Sequence, residues 1–264
     1  MTICLQSRVN RLHNYDGTTP NIKDSNMSKK GIKLLLTGLS NSGKTNALRT
    51  LDPKKTFVVS IDGKTFPFSV PHSNFTGFPD IEGLIKGYTD ASGNHVDGIA
   101  DKINKFQAAT KAYPETIVVD TVSRVFQIIA DNCATLYKGF DVHSNISKEI
   151  AKFNNFLEVQ LVGNGMNVVS STHVTLNSET GMYEDAASGA YKKSGGAISV
   201  HDNVSFFSIK SKKYIVTHRG PGLPCRTLVT EADLPNSQEA DTYSLADHIK
   251  LLQNSNAEVE KFVL

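Results

Sequence analysis

Short, nearly continuous apolar runs recur along the chain: Ile32-Lys33-Leu34-Leu35-Leu36-Thr37, Phe57-Val58-Val59-Ser60-Ile61-Asp62, Thr116-Ile117-Val118-Val119-Asp120 and Asn167-Val168-Val169-Ser170-Ser171-Thr172. Runs of this length without polar alternation read as strands buried on both faces. Further strand-like runs lie at Val204–Ile209 and Tyr214–Thr217. Between the strands the period changes. Thr45–Leu51 reads as a helix, and in Ser147–Val162 the residues Ile150, Phe153, Phe156, Leu157 and Leu161 fall at helical spacing. Near the C-terminus, Ser244 with Asp247 resembles a capping box ahead of Leu245, Ile249 and Leu252, the apolar face of a short helix. Gly63–Asn104, rich in Gly, Pro, Asn and Ser, is expected to be irregular surface structure. Strands alternating with helices predict an α/β fold: a mainly parallel central sheet with helices on both faces.

Composition narrows the class. A chain of 264 residues with 39% hydrophobic content can bury one sizeable core. The organisation expected is a flexible basic arm over residues 1–30 (Arg8, Arg11, Lys23, Lys29, Lys30), a core over 31–230, and an acidic C-terminal segment with a short helix over 231–264. A net charge of +2 is close to neutral, so any nucleic-acid affinity must come from local patches. Cys4, Cys133 and Cys225 form no CxxC pair, which argues against a disulfide framework or zinc site and for a reducing cytoplasm. No apolar run approaches the roughly 20 residues that cross a bilayer. The N-terminus has no apolar h-region, so no membrane association and no secretion are expected.

The strongest chemical signal is Gly38-Leu39-Ser40-Asn41-Ser42-Gly43-Lys44-Thr45, a GxxxxGK[ST] pattern between a predicted strand and a predicted helix. Glycines let the backbone curl so that N–H groups meet phosphate oxygens, and the helix N-terminus adds a favourable dipole. Gly38, Asn41, Ser42, Gly43, Lys44, Thr45 and Asn46 are the expected phosphate-binding residues. Lys44 would reach the β- and γ-phosphates of ATP, and the Thr45 hydroxyl would ligate Mg2+. Asp120 ends an apolar strand, the Walker B form, and is the expected second magnesium ligand. For positioning the attacking water the candidates are Asp62, at the end of the second strand, and His173 with Thr172, at the end of the fourth.

With these strands in place the chain resembles the RecA-like ATPase core shared by recombinases and DnaB-type helicases. Thr116–Val122 looks like that family's Walker B strand. Ser194–Phe206 is similar to the glycine-led segment after its second DNA-binding loop, and Thr217–Gly222 to the helicases' basic hairpin. The likeness extends to short phage nucleotide-binding proteins, including the Sak-type single-strand annealing recombinases. The resemblance implies an ATPase acting in a homo-oligomeric ring or filament on single-stranded DNA in phage recombination or replication, in the host cytoplasm, alongside a phage single-strand DNA-binding protein. It also implies that Arg219 acts on a neighbour's nucleotide. The chain departs from the pattern at Ile61-Asp62-Gly63-Lys64, where the recombinases carry a catalytic Glu. Either Asp62 substitutes or hydrolysis is slow. Thr217 replaces the first basic residue of the KxR-type pair.

Two stretches match the family's DNA-facing loops: Asp131–Ser147, with Tyr137 and Lys138, and Val174–Gly196, with Tyr183, Tyr191, Lys192 and Lys193. Aromatics stacking on bases while lysines neutralise phosphates is the usual recipe for single strands. A second basic strip is Ser205–Arg226, with Lys210, Lys212, Lys213, Arg219 and Arg226 and no acidic residue. Two other functions stay open at this point. One is a nucleotide-switched interaction protein with little turnover or DNA binding. The other is a small-molecule phosphotransferase, against which stands the lack of an arginine-rich lid after the third strand.

Overall fold

The computed structural model describes residues 30–185 and 196–260. Its centre is a nine-stranded sheet. The strands are β1 (Lys33–Gly38), β2 (Thr56–Ser60), β3 (His72–Asn74), β6 (Thr116–Asp120), β7 (Asn167–Leu176), β8 (Tyr183–Asp185), β9 (Asn203–Lys210), β10 (Lys213–Thr217) and β11 (Ser237–Glu239). Along the sheet they lie in the order β11-β10-β9-β1-β7-β6-β2-β3, with β8 folded back antiparallel on the end of β7. From β9 to β3 every pairing is parallel. A separate two-stranded hairpin joins β4 (Tyr88–Thr89) to β5 (His95–Val96).

The apolar runs form these strands because each strand is sandwiched. Leu35, Val59, Ile117, Val119 and Val168 face one core, while Leu34, Leu36, Val58, Val118 and Val169 face another. Side chains alternate across a strand, so a strand buried on both faces must be apolar throughout. The first core is closed by α2 (Ile81–Lys86), α3 (Ile99–Thr110), α4 (Val122–Leu136) and α5 (Phe140–Asn155). The second is closed by α1 (Lys44–Ala47) and α7 (Leu245–Glu260). A short helix, α6 (Gly196–Ser199), precedes β9. The α/β expectation with a mostly parallel sheet holds.

Several local expectations change. Gly63–Asn104 is not irregular: it supplies β3, α2, the β4–β5 hairpin and the start of α3. Its buried Phe75, Phe78, Ile81, Leu84 and Ile85 belong to the first core. Asp80 caps α2 by accepting from the Gly83 amide at 2.7 Å. The helix expected over Ser147–Val162 starts earlier, at Phe140, and ends in a π turn, Phe156–Leu161. The fourth strand runs on to Leu176 because β8 pairs with its end, so His173 lies within β7 rather than at its tip. The acidic segment after residue 230 folds onto its own chain. Leu234, Tyr243, Leu245, Ile249 and Leu252 are buried in the second core, and β11 extends the main sheet beside β10. Among the described residues no helix is long and apolar enough to cross a membrane.

Candidate functional site

Parallel strands bring their C-terminal ends to one edge of the sheet, and β1 and β6 are separated there by β7 alone. The connection from β1 to α1 turns sharply at this edge. Gly38 has φ +151, and a Cβ on it would sit 2.2 Å from the Phe207 carbonyl oxygen, so only glycine fits. Asn41 (φ 59) and Gly43 (φ 99) adopt left-handed conformations. Successive residues alternating between right- and left-handed backbone direct their N–H groups into a common concavity suited to anions. The helix that follows is only Lys44–Ala47 and tightens into a 3-10 turn over Leu48–Thr50. Its dipole is therefore small, and the Lys44 charge is the larger positive feature.

The loop borders a cavity of about 710 Å³ lined by residues 40–46, Lys64, Asp120, Thr121, His173, Tyr214, Ala240 and Asp241. The Lys44 ammonium donates to the carbonyls of Gly38 and Leu39, both at 2.8 Å, and stands 3.5 Å from His173 Nδ1. Burial lowers its pKa from 10.5 to about 8, against the Asp120 charge, which raises it; the nearby Lys64 charge lowers it further. Thr45 Oγ1 lies 3.4 Å from Asp120 Oδ2, and Ser171 Oγ donates to Asp120 Oδ1 at 2.5 Å. One hydroxyl and one carboxylate thus meet in a pocket, an all-oxygen donor set suited to a hard cation such as Mg2+. The Ser42 hydroxyl is buried with no partner among the described residues, a further polar group at the loop. Phosphate and magnesium both fit the residues present.

Of the water-positioning candidates, His173 reaches the cavity. Burial, and then the charges of Lys44 and Lys64, hold its pKa below the ordinary value, so the ring is neutral near pH 7. The Thr172 hydroxyl points elsewhere, to Asp185 Oδ1 at 2.7 Å. Asp62 does not line the cavity. Its Oδ2 pairs with Lys64 Nζ at 2.5 Å, and Lys64 is the residue that faces inward.

Arg219 is placed differently from the expectation. Its guanidinium donates to the Leu234 carbonyl at 2.8 Å, to Asn236 Oδ1 at 3.3 Å and to the Val229 carbonyl. It ties down a loop of its own chain instead of projecting toward a neighbour, so the role in trans is not carried forward. The basic strip is consumed in similar ways. Lys213 pairs with Glu239, and Arg226 donates to the carbonyls of His201 and Ile198. Lys210 and Lys212 stay exposed, Lys212 in a two-residue turn where Ser211 (φ 49) and Lys212 (φ 66) fit the hairpin twist.

The two expected DNA loops also change. Asp131–Ser147 is mostly helix, α4 and α5 joined by Tyr137–Gly139, with Lys138 exposed at the junction. Leu136 and Phe140 flank it, and Phe140 is 92% exposed. Tyr183 packs on Phe206 with ring centroids 4.8 Å apart, so it is not free to stack on a base. Tyr191, Lys192 and Lys193 lie outside the described residues. Reasoning from sequence missed Lys64, Ser171, Tyr214 and Asp241 as site residues. Only Lys64 carried a local signal, standing in the stretch that lacks the expected Glu. No protein-family model and no curated protein matches the chain.

Proposed function

We propose that this chain binds and hydrolyses ATP with Mg2+ on a RecA-like core, and that it handles single-stranded DNA in recombination or replication. The observation that carries the ATP reading is the meeting of Lys44, Thr45 and Asp120 at one cavity beside a glycine-turned loop. Lys44 and the loop N–H groups would hold the phosphates. Thr45 and Asp120 would hold magnesium, which supplies charge neutralisation on the phosphate oxygens. His173, neutral and next to Lys44, would orient a water or sense the γ-phosphate.

The DNA reading draws on the resemblance and on Lys138 between exposed Leu136 and Phe140. One observation favours a nucleotide switch with slow turnover: Asp62, the residue that would replace the missing Glu, is held in an ion pair with Lys64.

The test is ATP binding and turnover by the full chain, with and without single-stranded DNA, beside Lys44→Ala. Turnover stimulated by DNA and lost in the variant supports the reading. Binding without turnover supports the switch. Wild-type protein that binds no ATP in the presence of Mg2+ refutes both.

A further inference from the structure

The cavity holds a cation that the phosphate-binding loop does not account for. Lys64 follows Gly63, whose φ of +65 turns the chain so that the side chains on either side of it, Asp62 and Lys64, meet. That φ favours glycine, and a Cβ at residue 63 would also lie 2.8 Å from the Thr76 Cγ2 methyl. Lys64 lines the same cavity as Lys44, Asp120 and His173. Its side chain is half exposed, at 51%, whereas the Asp62 side chain is 17% exposed. The lysine therefore has room to swing while its partner is fixed. Its charge is felt across the cavity by both Lys44 and His173.

A nucleoside triphosphate brings more negative charge than a diphosphate, and the extra charge sits on the γ-phosphate. Among the described residues, Lys44 and Lys64 are the lysines that line the cavity. The other expected source of positive charge, Arg219, is bonded to its own loop. We propose that Lys64 is a γ-phosphate ligand acting within its own chain, exchanging the Asp62 carboxylate for the γ-phosphate when a triphosphate binds. Asp62 is then the positioning residue that holds the lysine beside the cavity until the exchange. The site thereby distinguishes ATP from ADP by a local ion-pair switch. The inference rests on the ATP reading above.

The experiment measures the dissociation constants of ATPγS and ADP, each with Mg2+, for full-length wild type, Lys64→Met, Lys64→Arg and Asp62→Asn. Lys64→Met should lose about tenfold or more in ATPγS affinity, the size of one charge-assisted hydrogen bond, with ADP unchanged. Lys64→Arg should keep most of the preference for the triphosphate. Asp62→Asn should bind ATPγS more tightly than wild type, because the lysine no longer leaves a charged partner. Equal losses for both nucleotides in Lys64→Met, or none for either, overturn the inference while leaving the ATP reading intact. Weaker ATPγS binding in Asp62→Asn overturns the exchange. Wild type that binds neither nucleotide removes the ATP reading itself, and this inference with it.

Discussion

Acid should unfold this protein through three histidines buried without charge. His201, His218 and His248 are at most 2% exposed. Burial lowers their pKa values from 6.5 to about 4, about 4 and about 3. The second ring nitrogen of His201 and of His248 has no hydrogen-bond partner, so neither ring has a carboxylate waiting for its proton. His218 and His248 also face each other with ring centroids 4.9 Å apart, so charging one opposes charging the other. The folded state thus stays neutral at these rings while the unfolded chain takes up protons below its ordinary 6.5. Stability is full above that pH and falls as pH drops toward the folded values. At pH 5 each histidine with a folded value near 4 costs about 2 kcal/mol relative to neutral pH. For three the total is roughly 6 kcal/mol, comparable with the 5–15 kcal/mol that holds a domain together.

Urea unfolding followed by far-UV circular dichroism at pH 7, 6 and 5 measures this directly. His248→Phe keeps a ring against His218 and Tyr243 and removes one titrating group. It leaves the Tyr243 hydroxyl without the 2.9 Å bond to His248 Nδ1, so the variant should be less stable at pH 7 by about 1–3 kcal/mol. Its loss between pH 7 and pH 5 should nevertheless be smaller than that of wild type by about 2 kcal/mol. A wild type that loses less than about 2 kcal/mol over this range, or a variant that loses as much as wild type, would refute the reasoning.

Other outcomes follow from single contacts. Asp120→Asn should abolish ATP turnover while leaving the fold intact by circular dichroism, since the amide keeps the shape that Ser171 contacts but loses the anionic ligand; unchanged turnover removes the assignment. Phe153→Ala empties a fully buried position edge-on to Phe126, 6.2 Å between centroids, and should cost about 3–5 kcal/mol in urea unfolding. Arg219→Ala should lower the unfolding midpoint, because it frees the carbonyls of Val229 and Leu234, but should keep its turnover, and mixing it with Lys44→Ala should add none beyond what the Arg219→Ala protein shows alone. Turnover lost in Arg219→Ala and recovered in the mixture would show that Arg219 serves a neighbour after all.

The parts of this fold that were legible in the sequence are those whose residues report their own burial. Thr116–Asp120 has the bounds its pattern implies, because a strand covered on both faces needs an unbroken apolar centre, here Ile117-Val118-Val119. The loop from Gly38 to Thr45 was legible because its glycines answer a local backbone demand. Residues 63–104 were not, because their buried side chains are divided among elements as short as two or three residues, too few to show a period. The length of β7 depended on β8, a tertiary pairing. The cavity wall opposite the loop was hidden for a different reason. Tyr214, Ala240 and Asp241 come from a strand and a turn far beyond Lys44 in the chain, and only the sheet order brings them together.

The same sheet order explains why Arg219 and the acidic segment depart from the pattern together. Arg219 follows β10 and holds the carbonyls of Val229 and Leu234. Val229 and Leu234 are themselves buried in the second core, so the loop they anchor has one path. That path returns the chain beside β10 as β11, where Glu239 reaches Lys213 and the strand ends at the cavity with Ala240 and Asp241. The acidic segment therefore meets the basic strip of its own chain at Lys213 through Glu239, and Arg219 fixes the segment in place. A cavity walled in this way by its own C-terminal residues takes its cations from within, from Lys44 on the loop and Lys64 after β2. Leu136, Tyr137 and Phe140 at the α4–α5 junction are exposed apolar side chains that stand outside this wall.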